Sequence, residues 1–245
     1  MTKSALALSI VAMASMPFAA QASLITGVLN ISGTVTISEG NIVFDPNSPA
    51  ENFAIAASTG GFAALNAPGL TGSVENITNP PDSTGVALDV PDFLTFAAAP
   101  NITITLTFLA PGLDGSAGCA DAAPTTNAQA IMQLCTPSVP SESPYNLQNL
   151  TTTSSSASFT VDGVEMDSLT GTSIGIVGTF TQPFTTMIYQ QLELDVENGI
   201  PVTTPFSAQF ATVAATPEPS TLLEFVMGIG LVGLSIVYRK KLKKA

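Results

Sequence analysis

Residues 101–108 read Asn-Ile-Thr-Ile-Thr-Leu-Thr-Phe, with apolar side chains at 102, 104, 106 and 108 and threonines between them. A strict period of two puts one kind of residue on each face of an extended chain, so one face is buried and the other wet. The same alternation recurs in Val35 and Ile37 against Thr34 and Thr36, and in Phe206, Ala208 and Phe210 against Ser207 and Gln209. Threonine and valine suit pleated, half-buried surfaces. Turn chemistry separates these runs: Glu39-Gly40-Asn41, Asp45-Pro46-Asn47, Asn79-Pro80-Pro81, Asp162-Gly163 and Asn198-Gly199. Long helical periodicity is absent, although 128–134 has room for a turn or two. Alternating strands joined by turns predict an all-β domain, an antiparallel β-sandwich over residues 23–213. A segment of that length buries enough apolar surface to fold without a metal.

The charges are sorted along the chain. It has six basic residues: Lys3 near the start, and Arg239, Lys240, Lys241, Lys243 and Lys244 at the end. Residues 23–216 contain no Lys, Arg or His but hold 16 of the 18 acids. Such a domain has nothing with which to neutralise phosphates, which excludes nucleic acid as a partner. Lys3, the apolar run 5–14, Pro17 and Ala20-Gln-Ala22 have the three parts of a secretory signal peptide, so 1–22 is expected to be removed and 23–213 to be exported as an ectodomain.

Residues 222–238 are apolar apart from Glu224. As a helix they span roughly 26 Å, near the hydrocarbon thickness of a bilayer, and predict one C-terminal transmembrane helix. The basic run 239–245 then forms a cytoplasmic tail by the positive-inside rule. Gly228, Gly230 and Gly233 within the span match the G-x-G-x-x-G spacing. A nucleotide site also needs a following helix, a second strand and a downstream acid, and too little chain remains for these.

A linker, 214–221, carries Pro217-Glu218-Pro219 directly before the apolar span. This tripeptide, the span and the basic tail, with a signal peptide at the other end, resemble the PEP-CTERM sorting signal of exported bacterial proteins. The resemblance covers Thr216 to Ala245. It implies recognition by an exosortase, processing near Pro217, Glu218 and Pro219, a host that makes extracellular polysaccharide, and an inner-membrane intermediate before delivery to the cell surface or matrix. The two prolines give a physical reason for such a signal, since they hold the backbone extended and open to a processing enzyme.

Cys119 and Cys135 lie in a Gly/Ala/Pro-rich insertion and are expected to form a disulfide after export. Gly171-Thr-Ser173-Ile-Gly175 matches a nucleophile elbow, but the chain has no His and the exported region no Lys to activate the serine, so enzyme function is not expected. Glu193, Asp195 and Glu197 alternate with Leu192, Leu194 and Val196, as on one face of a strand. Together with Asp162, Glu165 and Asp167 they form two acidic groups. The expectation is a solvated face with no cofactor, weak Ca²⁺ binding being the competing reading, although neither group has EF-hand spacing. Four N-x-S/T sequons, at Asn30, Asn76, Asn101 and Asn149, are expected to be bare in a bacterial host.

The leading expectation is therefore an exported, exosortase-sorted structural or adhesive protein of a polysaccharide layer, with extracellular polysaccharide as a partner. A carbohydrate-binding surface module is the alternative, weakened by the absence of Trp and by only two tyrosines, Tyr145 and Tyr189, in the exported region. A surface hydrolase comes third.

Overall fold

Eight antiparallel strands close into a ring. In the computed structural model, which describes residues 26–45, 52–66, 69–78, 82–113, 119, 131–137 and 143–213, the order is β11 (Thr172–Phe184), β12 (Val202–Thr212), β1 (Val28–Ser38), β3 (Phe53–Ile55), β4 (Thr71–Val74), β6 (Ala87–Phe96), β7 (Ile102–Leu109) and β10 (Ser155–Asp167). The last strand pairs back onto the first along its whole length, from Ser155↔Phe184 to Asp167↔Thr172. Four short strands lie outside the ring: β2 (Asn41–Phe44) and β5 (Ile77–Thr78) on one flank, β9 (Asn146–Asn149) and β8 (Leu134–Cys135) on the other.

The predicted β-sandwich is thus corrected to a closed eight-stranded β-barrel with extra outer strands. A sandwich and a barrel need the same in–out alternation along each strand, so the period of two does not separate them. Closure depends on bending the strands. Register shifts interrupt β6–β7 twice and β10–β7 at Asp162/Gly163, and such bulges raise local twist and bend a strand. Gly178 contributes too: a Cβ there would run into the Phe210 ring, so the glycine makes room for an aromatic side chain inside a narrow barrel.

The interior is apolar and rich in phenylalanine. Leu29, Ile31 and Val35 of β1, Phe206 and Phe210 of β12, Phe180 of β11, Phe159 and Val161 of β10, and Ile104 and Leu106 of β7 form one buried cluster. Phe180 lies at its centre, in ring contact with Phe44, Phe93, Phe159, Phe206 and Phe210. Each such ring removes on the order of 150–250 Å² from water, and edge or offset contacts add to that.

A helix, α1 (Tyr189–Glu197), covers one end of the barrel. Tyr189, Leu192 and Val196 pack there with Ile37, Ala157, Phe184 and Val202. The stretch 192–197 was expected to be a strand. Beside the alternation of Leu192, Leu194 and Val196, the residues Tyr189, Leu192 and Val196 are spaced to line one side of a helix, and Gln, Leu and Glu are good helix formers. The end of α1 is fixed by Gly199, at φ 71°, whose N–H donates to the Val196 carbonyl while that of Ile200 donates to the Asp195 carbonyl. These two bonds are the Schellman pattern, so Asn198-Gly199 stops a helix here.

Among the described residues no helix is long and apolar enough to cross a membrane. The expectation of an inner-membrane intermediate, with exosortase as its partner, is corrected accordingly: the described structure contains no membrane-anchoring helix on which it would rest. The segments that carried that expectation lie outside the described residues. They are 1–22 with Lys3, the linker with Pro217, Glu218 and Pro219, the span 222–238, and the tail with Arg239, Lys240, Lys241, Lys243 and Lys244.

Candidate functional site

The barrel wall forks at Gly33. One side of β1 pairs with β3 over Ile31–Gly33 and then with β2 over Val35–Ser38. The wall continues through β3 and β4, while β2 leads out to β5. Between the two branches is a cleft of about 360 Å³, lined by Val43, Phe44 and Asp45 at the end of β2, Asn52 before β3, and Ser73, Val74, Glu75 and Asn76 at the end of β4 and beyond.

Asn52 fastens the fork. It is 4% exposed. Its Nδ2 donates to the carbonyls of Val74 (2.8 Å) and Phe44 (3.4 Å), and its Oδ1 accepts from the Val74 N–H (2.7 Å). One side chain thus meets the backbone needs of both branches where they no longer pair with each other, which a buried amide group requires. Gly33 allows this approach, since a Cβ there would meet the Asn52 carbonyl oxygen and the Phe206 ring. Asn76 makes a second tie: its Oδ1 accepts from the Phe44 N–H at 2.9 Å. Asp45 takes a left-handed backbone, φ 35°, with its N–H bonded to the Thr34 carbonyl at 2.6 Å. Asn52 and Asn76 therefore tie the two branches together beside the cleft, whose lining also includes Asp45, Ser73 and Glu75.

The acidic residues singled out in the sequence do not assemble. On α1, positions 193, 195 and 197 fall about 200° apart in sequence, so Asp195 points away from Glu193 and Glu197. Asp195 accepts from Gln191 Nε2 at 2.6 Å. Among the described residues no three His, Cys, Asp or Glu side chains are grouped to hold a metal ion. In β10, Asp162 faces out and Glu165 faces in, where it is 2% exposed and its Oε2 has no hydrogen-bond partner. Burial pushes the Glu165 carboxyl up to about 7, and the negative charge of Asp167 adds to the shift. Asp167 is held below the ordinary value, first by Asn101 Nδ2 and then by the Leu169 N–H.

Ser173 lies opposite Met166 on the outer face, while Glu165, opposite Ile174 on the same strand pair, points inward. Cys119 and Cys135 are joined by a disulfide, with Cα atoms 4.9 Å apart. Asn149 is buried, donating to Gln190 Oε1 and accepting from the Tyr189 N–H, both at 2.9 Å, so this sequon serves to dock α1.

The cleft residues escaped the sequence reading. Asp45 was legible only as part of a turn and Asn76 only as a sequon, while Asn52 and Glu75 carried no signal, and the meeting of all four depends on the fork. No family model matches the chain, and no curated protein or solved structure matches it.

Proposed function

We propose that this chain carries an extracellular, non-catalytic carbohydrate-binding module whose sugar sits in the cleft at the wall fork. The carrying observation is that cleft: a hollow about the size of small-ligand sites, lined by the polar residues Asp45, Ser73, Glu75 and Asn76, with Asn52 fixing its walls. Carboxylates and amides match the hydroxyls of a sugar ring, which both donate and accept. Two further features fit an exported setting, the disulfide and the lack of cationic side chains over 23–216.

This reading replaces the expected structural or adhesive protein sorted by an exosortase. The barrel and its cleft favour a binding module, and the described residues include no membrane-crossing helix. Recognition here rests on hydrogen bonds. Among the described residues most aromatic rings are packed in the two cores, and the half-buried Phe108 on β7 lies outside the cleft lining. The non-catalytic reading rests on chemistry: without His anywhere, or Lys in 23–216, Ser173 has no base.

A glycan array probed with the purified protein tests this. Binding to one glycan class, abolished by Ser73→Trp at unchanged melting temperature, is the expected result; Ser73 sits half-buried on the cleft side of β4 and a large ring there fills the hollow. Retention of all glycan binding by a folded Ser73→Trp protein overturns the assignment of the cleft.

A further inference from the structure

We infer that the sugar taken by the fork cleft is cationic, an amino sugar with a free ammonium group; this rests on the carbohydrate-binding reading. The cleft brings Glu75, from the link after β4, to the same hollow as Asp45 at the end of β2. The two acidic residues come from different branches of the fork and both line the hollow. A ligand ring lying between them meets negative charge from both.

The rest of the domain reinforces this field. Residues 23–216 carry 16 acids and no Lys, Arg or His, so no cationic side chain of this region stands in the cleft to bind a uronate, sulfate or phosphate group. An anionic glycan is repelled at close range and steered away at longer range. A neutral glycan gains only ordinary hydrogen bonds. An ammonium group gains charge-assisted bonds to Glu75 and Asp45, which are roughly twice as strong as neutral ones. It also has three donors and no acceptor, which suits a carboxylate pair. Asn52 and Asn76 keep both walls in place before the ligand arrives, so little ordering is needed on binding.

Calorimetric titration of the full chain with three short oligosaccharides tests the inference: a β-1,4-linked glucosamine tetramer, its fully N-acetylated counterpart and a tetragalacturonate. The expected result is that the glucosamine tetramer binds at least about tenfold tighter than the acetylated one at low salt, with the advantage shrinking as salt rises, and that the uronate does not bind. Glu75→Gln should remove the advantage, whereas Glu197→Gln, a charge change on exposed α1 surface away from the cleft, should leave it intact. Equal or tighter binding of the acetylated tetramer, or binding of the uronate, overturns the ligand class and leaves the binding module standing. An equal loss in Glu75→Gln and Glu197→Gln also overturns it, by showing diffuse attraction of a cation to an acidic protein. Failure of all three tetramers and of the wider glycan array to bind overturns the module reading with it.

Discussion

Phe159 and Phe180 lie directly opposite each other on the strand pair that closes the barrel, and their rings stack 4.7 Å apart at 5°. Tyr145 meets the free side of Phe159 edge-on, and Phe206 and Phe210 meet Phe180. The seam of the ring is therefore also the centre of its aromatic core. Phe180→Ala should cost about 3–5 kcal/mol, and Phe180→Leu clearly less, because truncation leaves a cavity that five rigid neighbouring rings cannot collapse to fill. Urea unfolding monitored by circular dichroism measures both. A loss below about 1 kcal/mol for the alanine variant would contradict the closed packing.

Asn52 is predicted to be the polar residue whose loss is felt most at the fork. Asn52→Ala strands the N–H and carbonyl of Val74 in a buried setting, at a cost of roughly 1–3 kcal/mol. Asn52→Asp should be at least as harmful, since a carboxylate accepts but cannot donate to the Val74 carbonyl. Amide hydrogen exchange reports this locally: the Val74 N–H should lose protection in Asn52→Ala, and less in Asn52→Asp, whose carboxylate still accepts from it, while the β10–β11 amides keep theirs.

Stability should fall as pH rises from about 4.5 to about 7. The Glu165 carboxyl has an ordinary value of 4.5 and is raised to about 7 in the fold. Between these values the unfolded chain has released its proton while the native carboxyl still holds one, so raising pH favours unfolding. Asp167 has the opposite sign: its carboxyl is lowered in the fold, so its contribution is present above the ordinary Asp range and is lost as pH falls through its folded value. Thermal melts of Glu165→Gln should show the decline between 4.5 and 7 flattened, with the acid limb unchanged. A parallel decline in the variant would assign it to general repulsion among the acids.

Removing the disulfide by the paired changes Cys119→Ala and Cys135→Ala should destabilise the domain by about 3 kcal/mol, the loop-closure value for a separation of this order. Alanine is preferred to serine because Cys135 is fully buried beside Leu147 and Phe184, where a hydroxyl needs a partner. The midpoint of urea unfolding, with and without reductant on the native protein, measures the same quantity independently.

At the helix end, Gly199→Ala should cost roughly 1–2 kcal/mol, because φ 71° places a Cβ against the following carbonyl. Asn198→Ala removes only a local bond from its Nδ2 to the Leu194 carbonyl and should cost less. Differential scanning calorimetry of the two variants side by side gives the order.

Much of the strand content was legible. The runs at 101–108, 34–37 and 206–210 became β7, part of β1 and part of β12, with their apolar members inside except Phe108, which faces out opposite Asp162 while Leu109 turns in beside the bulge at Asp162/Gly163. Three things were hidden for physical reasons. Closure was hidden because one strand's alternation is the same in a sandwich and a barrel; bulges and glycine–aromatic contacts such as Gly178 with Phe210 make the difference, and these are long-range. The helix at 189–197 was hidden because its apolar residues satisfy both periods, 192, 194 and 196 that of a strand and 189, 192 and 196 that of a helix, and tertiary packing of Tyr189 and Leu192 over the barrel end selects the second. The cleft was hidden because Asp45, Asn52 and Glu75 are brought together by the divergence of β2 from β3, an event with no local signature. The buried state of Glu165 was equally unreadable, since in the sequence it stands among other acids.

Closure of the ring has a further outcome for the edges of its strands. Strand-by-strand polymerisation needs an unpaired rim of N–H and carbonyl groups as a template, and a closed barrel hides that rim. The outer half of β6, over Ala87–Val90, is paired on one side only, but it runs straight into Pro91, which cannot donate, and is bracketed by the charges of Asp89 and Asp92. The edges of the outer flanks, β5 and β8, are two residues each, so little backbone is left there to template the addition of another strand.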